Sequence, residues 1–387
     1  MQHRLAAELH RLRETCPMLQ NTIYLANCSQ GPLTIPVRTA VETFMAGWSE
    51  LGMHWNAWIA EVDQARAAFA TLIGARPDEI AVGTSVSQLA SSIASALVTS
   101  PQIARRRIIT SSAEFPGVAH AWLATQAHGW QVDLLQANSR GVVDSAGFMA
   151  AIDDTTALVS LPHACYYNGM LLPLETLTTA AHAKEALVFV DAYQSIGTVP
   201  IDVKSSGVDF LAAGTLKFLL GTAGIAFLYV SPTVREKLEP TVTGWFGRTN
   251  PFAFDPSQLD YPASAARFDL GTPPIINAYI ARAGMELITT AGPAQIRTQI
   301  ERLSEVAFTV AAQLGLQING PEEIQQKGAT TAIHVGSAER ASWLEQTLRE
   351  HAIVVSARGP AIRLAPHGFT TEEELEQALH TVARLLH

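Results

Sequence analysis

Through the first two thirds of the chain, short apolar runs alternate with longer stretches of helical spacing. The runs at 80–82, 107–110, 131–135, 158–161, 187–190, 208–213 and 225–230 are bounded by Gly or polar turns and predict buried strands. Helical spacing between them predicts helices over 88–97, 118–128, 144–151 and 174–184. This alternation implies an α/β fold with a mainly parallel seven-stranded sheet covered by helices on both faces. Ahead of it come an amphipathic helix over 1–15, a short strand at 23–25 and the loop Asn27-Cys28-Ser29-Gln30-Gly31-Pro32. Helices follow over 36–48 and 58–73, the second stopped by Gly74. From 240 to 274 the periodicity fades, with Trp245, Phe246, Phe252, Phe254, Tyr261 and Phe268 set among Pro, Gly and Asn. Long ordered connections of this kind are usually functional. Helices over 276–290, 294–314, 341–350 and 371–386 and strands at 331–335 and 361–364 then predict a smaller α+β unit. The expected organisation is a large domain over 20–260, a small domain made of 1–19 and 275–387, and the irregular connection at 240–274.

Composition narrows the function classes. The 387 residues are 48% hydrophobic, enough for one large core and a smaller one. The net charge of −9 gives no sign of a nucleic-acid partner or an anionic membrane, and the one tight basic run, Arg105-Arg106-Arg107, reads as the solvated lead-in to a strand. Three cysteines without a Cys-x-x-Cys pair argue against a disulfide framework and a structural zinc, and no metal is expected. The N-terminus mixes acids with bases and lacks the apolar core of a secretory signal, and no run of ~20 apolar residues is present. The expectation is a soluble cytoplasmic protein. No Gly-x-Gly-x-x-Gly follows the first strands, which disfavours a dinucleotide site.

The chemistry concentrates between 186 and 230. Parallel strands present side chains at their carboxyl ends, where α/β sheets bind ligands. Here those groups are Asp191, Gln194 and Lys217. A lone lysine within an apolar segment is costly unless its surroundings neutralise it or it reacts, although a lysine at a strand end can also reach solvent. A carboxylate and a lysine placed this way suit pyridoxal phosphate: the lysine forms a Schiff base with the aldehyde, and the carboxylate keeps the ring nitrogen protonated. Gly83-Thr84-Ser85-Val86, between a strand and a helix, reads either as a phosphate site of backbone N–H groups and hydroxyls or as an ordinary helix cap.

Val190-Asp191-Ala192-Tyr193-Gln194 followed by Gly214-Thr215-Leu216-Lys217 resembles the cofactor core of class V aminotransferase-like, fold type I pyridoxal phosphate enzymes. These include cysteine desulfurases, selenocysteine lyases, kynureninases and isopenicillin epimerases. The resemblance spans nearly the whole chain. It continues in Val82-Gly83-Thr84-Ser85-Val86, Glu114-Phe115-Pro116, Arg267-Phe268-Asp269-Leu270-Gly271-Thr272-Pro273 and Ile362-Arg363-Leu364-Ala365-Pro366. It implies that Lys217 carries the cofactor, that Asp191 pairs with the pyridine nitrogen and that Gln194 donates to the ring oxygen. Thr84, Ser85, Val86 and Thr215 would hold the phosphate, and Phe115 would stack on the ring. Arg363 would bind the substrate α-carboxylate through a planar guanidinium. Gly244-Trp245-Phe246-Gly247 resembles kynureninase. In relatives that loop and the Gly-Thr at 271–272 reach the neighbouring subunit's cofactor, so Trp245 and Thr272 imply a homodimer with shared sites. Asn27, Cys28, His54 and Tyr166 are expected in the pocket wall; His54 could equally be a packing residue, and Cys28 and Cys165 packed thiols.

Departures from the subfamilies narrow the reaction. Desulfurases need a cysteine before the tail arginine to accept sulfur, and Ile353-Val354-Val355-Ser356-Ala357-Arg358-Gly359-Pro360-Ala361-Ile362-Arg363 contains none. Kynureninases usually carry Asp where this chain has Val118 and His where it has Gln194. Leu216 stands where relatives commonly have His or Tyr. The expectation is therefore a lyase acting on a small α-amino acid by β-elimination of the C–S type, ahead of an aminotransferase and then a kynureninase-type hydrolase or epimerase. A non-catalytic scaffold is disfavoured by the intact Asp191, Lys217 and Arg363.

Overall fold

The structure is a computed structural model that describes residues 5–386. The first four residues of the helix expected at 1–15, and His387, lie outside the described residues. In chain order the strands are β1 (Ile23–Tyr24), β2 (Ile80–Gly83), β3 (Arg107–Ser111), β4 (Gln131–Leu135), β5 (Thr156–Pro162), β6 (Leu187–Asp191), β7 (Phe210–Gly214), β8 (Ala226–Val230), β9 (Ile318–Asn319), β10 (Thr331–His334), β11 (Ile353–Val354), β12 (Ser356–Arg358) and β13 (Ala361–Leu364). Seven of them form the expected sheet, in the order β2-β8-β7-β6-β5-β3-β4, and only β8 runs against the rest.

These strands are apolar throughout because both faces are covered. Val188 and Val190 of β6 enter one core cluster, whereas Phe189 between them enters another with Trp122 and Phe210. This is the period-2 alternation of a strand buried on both sides. In the register Pro162 lies opposite Asp191, and Asp191 opposite Ala212. The segments leaving β5, β6 and β7 therefore emerge side by side at the carboxyl edge.

The tail forms an antiparallel sheet, β12-β13-β10-β9, beneath the helices Pro293–Gln313, Ala338–Glu350 and Glu372–Leu386, with its own apolar cluster around Ile333, Leu344, Ile362 and Val382. Strands β9, β11 and β12 were not predicted; at two or three residues each they are too short to show periodicity. The N-terminal segment is stitched to the tail by parallel pairing of β1 with β11, a bridge between Ala26 and Ala365, and the Arg13–Glu374 ion pair at 2.6 Å. The helix expected over 118–128 ends at Ala124 and tightens into a 3-10 turn, Thr125–His128, before left-handed Gly129.

The irregular 240–274 segment is fixed by buried charges. Arg267, 7% exposed, donates to the carbonyls of Pro262, Arg235 and Leu238. Asp269 accepts from the Val82 amide at 2.7 Å and from Arg66 at 2.9 Å, tying the segment to edge strand β2. Replacing Asp269 by Ala strands the Arg66 guanidinium and the Val82 N–H in a dry site. Asp269→Ala is expected to lower unfolding free energy by about 3–5 kcal/mol, read from urea denaturation.

Candidate active site

Lys217 follows β7 in a tight loop. Gly31 N–H donates to the Leu216 carbonyl at 2.8 Å, Leu220 N–H to the Lys217 carbonyl at 3.1 Å and Gly221 N–H to the Thr215 carbonyl at 2.8 Å. His367, fully buried, accepts the Gly368 N–H at Nδ1, so Nε2 carries the proton and donates to the Phe218 carbonyl at 2.9 Å. Burial pushes this imidazole down to about 4, so it stays neutral at physiological pH. The tail thereby grips the residue next to the lysine.

The Lys217 side chain enters a narrow cleft with Phe115, Tyr166, Asp191, Tyr193 and Gln194. Its Nζ lies 4.2 Å from the Tyr193 ring centre and 5.4 Å from that of Phe115. Burial lowers the amine to about 8, against the opposing pull of the Asp191 charge. Asp191 accepts from the Tyr193 N–H at 2.9 Å through one oxygen, and no described residue donates to the other. Burial raises its carboxyl, and the Tyr193 N–H and Lys217 act in the opposite sense. Glu114 stands behind it. Ser160 donates to Glu114 at 3.0 Å, the Phe115 N–H donates at 3.0 Å, and Trp122 donates to Ser160 at 2.9 Å. Burial, and then the Asp191 charge, raise Glu114 well above the ordinary carboxylate range. Of the two carboxyls Glu114 holds the proton, and Asp191 is the one left to ionise opposite a cation.

Arg363 on β13 is 1% exposed. It donates to the Tyr166 carbonyl at 2.8 Å, to Ser29 at 2.9 Å and to Ser356 at 2.6 Å, which fixes the plane of its guanidinium. Its Nε is buried without a partner, as are Oε1 of Gln194 and Oδ1 of Asn27. Buried polar atoms left unpaired are rare and mark places where a ligand supplies the missing bond.

Several expected site residues fall elsewhere or act differently. Thr215 is fully buried, and its hydroxyl donates to the Thr222 carbonyl at 3.1 Å, so it braces the lysine loop instead of facing a phosphate. Thr84 turns its hydroxyl and its N–H to the Gln88 side chain, and Ser85 caps the helix Val86–Thr99 by accepting from the Gln88 N–H. What this corner offers an anion is the start of the helix at Val86, beside the start of the helix Pro116–Ala124, where Ser87 meets Gly117. Gln194 already gives an amide hydrogen to the Cys28 carbonyl at 3.0 Å. Phe115 is not a core residue: it is 42% exposed, with the Tyr166 ring at 89° to it and 5.4 Å away. His54 is exposed, as is Thr272, and Trp245 packs with Trp55, Phe246, Phe252 and Phe254; none of the three lines the lysine cleft. Cys28 and Cys165 are 1% and 2% exposed, as packed thiols are. Asn27 is buried and donates to the Ala365 carbonyl.

Sequence reasoning took Ser29 only as part of the pocket-wall loop, quoted Glu114 and Tyr193 within motifs without giving them a role, and passed over Ser356 and His367. For Tyr193 a signal was present: its hydroxyl lies against Gly214, where any Cβ would clash. For the serines that hold Arg363, the signal is their proximity in space, which the sequence does not carry.

A pyridoxal phosphate fits these residues. Lys217 offers an amine lowered to about 8, Asp191 a free carboxylate oxygen, Phe115 a half-exposed ring beside that amine and the Val86 helix start an anion site. No group of three metal-ligating side chains occurs among the described residues, and no described helix is long and apolar enough to cross a membrane.

Comparison with known proteins agrees with this arrangement. The aminotransferase class-V family profile matches residues 29–377. The uncharacterized aminotransferase YcbU of Bacillus subtilis is 36% identical over 371 residues, covering 96% of this chain and 96% of its own length. A kynureninase of Geobacillus thermodenitrificans is 27% identical over 399 residues, covering 98% and 91%. Among solved structures, the apo cysteine desulfurase of Thermococcus onnurineus NA1 superposes with a TM-score of 0.87 at 22% identity, covering 100% of this chain and 99% of its own, which shows the fold type I architecture.

A nucleophilic amine must be unprotonated to attack an aldehyde. The rate at which pyridoxal phosphate loads onto cofactor-free protein is therefore expected to rise with pH and level off above about 8, following Lys217. Lys217→Ala should abolish the adduct trapped by borohydride. A trapped adduct on any other residue would contradict the assignment.

Proposed function

The chain belongs to the aminotransferase class-V family of pyridoxal phosphate enzymes, and on that premise we propose that it is a lyase that eliminates a β-substituent from a small α-amino acid, preferentially by C–S cleavage, without passing sulfur to a cysteine of its own. Bound pyridoxal phosphate supplies an electron sink for the bond broken at the substrate α-carbon. The protein's own groups do the rest. Arg363, held flat by Ser29, Ser356 and the Tyr166 carbonyl, takes the substrate carboxylate with its unpaired Nε turned to the ligand. Lys217 Nζ, near neutrality because it is buried, takes the α-proton and can return it to the departing group. Asp191 keeps a carboxylate oxygen for the ring nitrogen, with Glu114 uncharged behind it. Phe115 and Tyr193 exclude water from the amine.

The observation that carries the lyase reading is the tail hairpin. Strands β12 and β13 are joined by Gly359-Pro360 alone, with Gly359 at φ 51°, so there is no mobile loop and no thiol before Arg363. Cys16, Cys28 and Cys165 are all buried. A leaving group released here departs to solvent. Transamination is the second reading, favoured by the 36% identity to the uncharacterized aminotransferase YcbU. A homodimer belongs to the same proposal, with Trp245 and Thr272 serving the partner's site. The exposed apolar side chains Trp48, Leu51, Met53, Phe252 and Phe254 support it.

Purified holoenzyme given cystine or L-β-chloroalanine is expected to release pyruvate with no keto acid added. Strict dependence on a keto acid would transfer the assignment to transamination, and anthranilate from kynurenine to a hydrolase. Light scattering is expected to give about twice the 41.6 kDa chain mass.

A further inference from the structure

The hairpin that lacks a relay cysteine carries a second arginine. In the register of β12 and β13, Ser356 lies opposite Arg363, Ala357 opposite Ile362, and Arg358 opposite Ala361. Directly opposed residues share a face of the sheet, and residues two apart along a strand share it as well. Ala357 and Ile362 turn to the small apolar core. Ser356 and Arg363 turn the other way and bond each other at 2.6 Å. Arg358 therefore stands on the Arg363 face, about 7 Å along the strand from Ser356, toward the hairpin tip. Arg363 is buried; Arg358 is exposed. Among the described residues no carboxylate forms an ion pair with Arg358.

We infer that Arg358 selects the substrate side chain: the enzyme prefers α-amino acids that carry a second acidic group, with Arg363 taking the α-carboxylate and Arg358 the distal anion. The inference rests on the proposed reading of Lys217 and Arg363 as the amine and carboxylate sites, and deepens it. An unpaired, exposed guanidinium on the sheet face that also carries Arg363 is poorly suited to a cationic side chain, which it repels. It suits a carboxylate, sulfonate or sulfate, which it can grip with two parallel N–H donors. The chain as a whole carries −9. Two guanidiniums on one face of the hairpin oppose that field locally and attract an anion. Lys217 registers both guanidiniums: Arg363 and Arg358 each add to the effect that keeps its amine low. The side chain that decides specificity thus acts on a β-hairpin of the tail, away from the sheet that holds the cofactor.

Binding separates this inference from the reaction class. Titration of the holoenzyme with aspartate, asparagine, glutamate, glutamine and lysine, followed by the visible absorbance of the cofactor, gives a Kd for each without turnover. Wild type is expected to bind aspartate or glutamate at least about tenfold more tightly than the matching amide, since one charge-assisted pair is worth that factor or more. Arg358→Gln is expected to reduce the acid-to-amide ratio to within about threefold, Arg358→Lys to keep part of it, and Arg358→Glu to shift preference toward lysine. Serine O-sulfate and β-chloroalanine then supply an acidic and a neutral elimination substrate, and kcat/KM for their pyruvate release should show the same dependence. Equal binding of acid and amide by wild type, or an unchanged ratio in Arg358→Gln, overturns the inference. A strong acid preference without pyruvate from either substrate leaves Arg358 in place and overturns the lyase reading instead.

Discussion

Everything in this protein depends on holding one lysine amine dry, beside one carboxylate, at the carboxyl edge of a parallel sheet. A buried ammonium is costly, and a buried carboxylate equally so. The fold offsets the two against each other. Burial pushes Lys217 down and Asp191 up, while their mutual attraction opposes both shifts. The balance leaves an amine that can exchange a proton near physiological pH and a carboxyl that ionises when a cation is opposite. Glu114 makes this workable. A second ionised carboxylate behind Asp191 would repel it; burial, and then the Asp191 charge, push Glu114 well above the ordinary carboxylate range, against the opposing pull of the Ser160 hydroxyl and the Phe115 N–H.

The arrangement reaches across the whole chain because a substrate has to be gripped at both ends. The sheet supplies the amine, and the tail supplies the arginine. Their relative position is fixed by contacts that belong to neither unit alone: the Tyr166 carbonyl after β5 and Ser29 in the N-terminal loop on Arg363, and the neutral His367 on the carbonyl next to Lys217. The N-terminal segment acts as a strap, running through β1 beside β11 and meeting Ala365 before its loop delivers Gly31 to the Leu216 carbonyl. Each of these contacts is a hydrogen bond with strict geometry, so the alignment of amine and guanidinium is set more finely than apolar packing alone sets it.

What the sequence made legible follows from this division. The strands of the large sheet were readable because double-sided burial writes continuous apolar runs, and Asp191, Gln194 and Lys217 because strand ends have fixed places in such a sheet. Arg363 was readable only through resemblance, since an isolated arginine at a strand end carries no local signal. Thr215 stands differently from its expected place for a related reason. A hydroxyl next to the lysine suggests a phosphate contact, but the loop turns so tightly that its own carbonyl at Thr222 takes the proton first. Gln194 shows the same competition, one hydrogen already committed to Cys28. The bonds of Ser29 to Arg363 and of His367 to the Phe218 carbonyl exist only once segments far apart in sequence meet, and Ser356, seven residues from Arg363, gains its role only through the turn between β12 and β13. Phe115 reversed its plain hydrophobic reading: a phenylalanine after a strand is ordinarily core, and this one is left open where a planar ligand needs a face.

The tail hairpin shows how one fold separates chemistry from selectivity. The groups that make or break bonds stand on the rigid sheet, where packing on both faces prevents drift. On the proposed reading, the groups that recognise the substrate stand on β12 and β13, anchored through Ala357 and Ile362 to a separate core. Changing Ser356, Arg358 or the Gly359-Pro360 turn alters what is recognised without touching the environment that sets the lysine's proton affinity, apart from the added positive charge of the arginines. A hairpin with a longer turn has room for a reactive thiol; one closed by Gly-Pro does not, and presents a guanidinium instead. On the proposed reading, this hairpin selects a substrate by charge and keeps no leaving group on the enzyme.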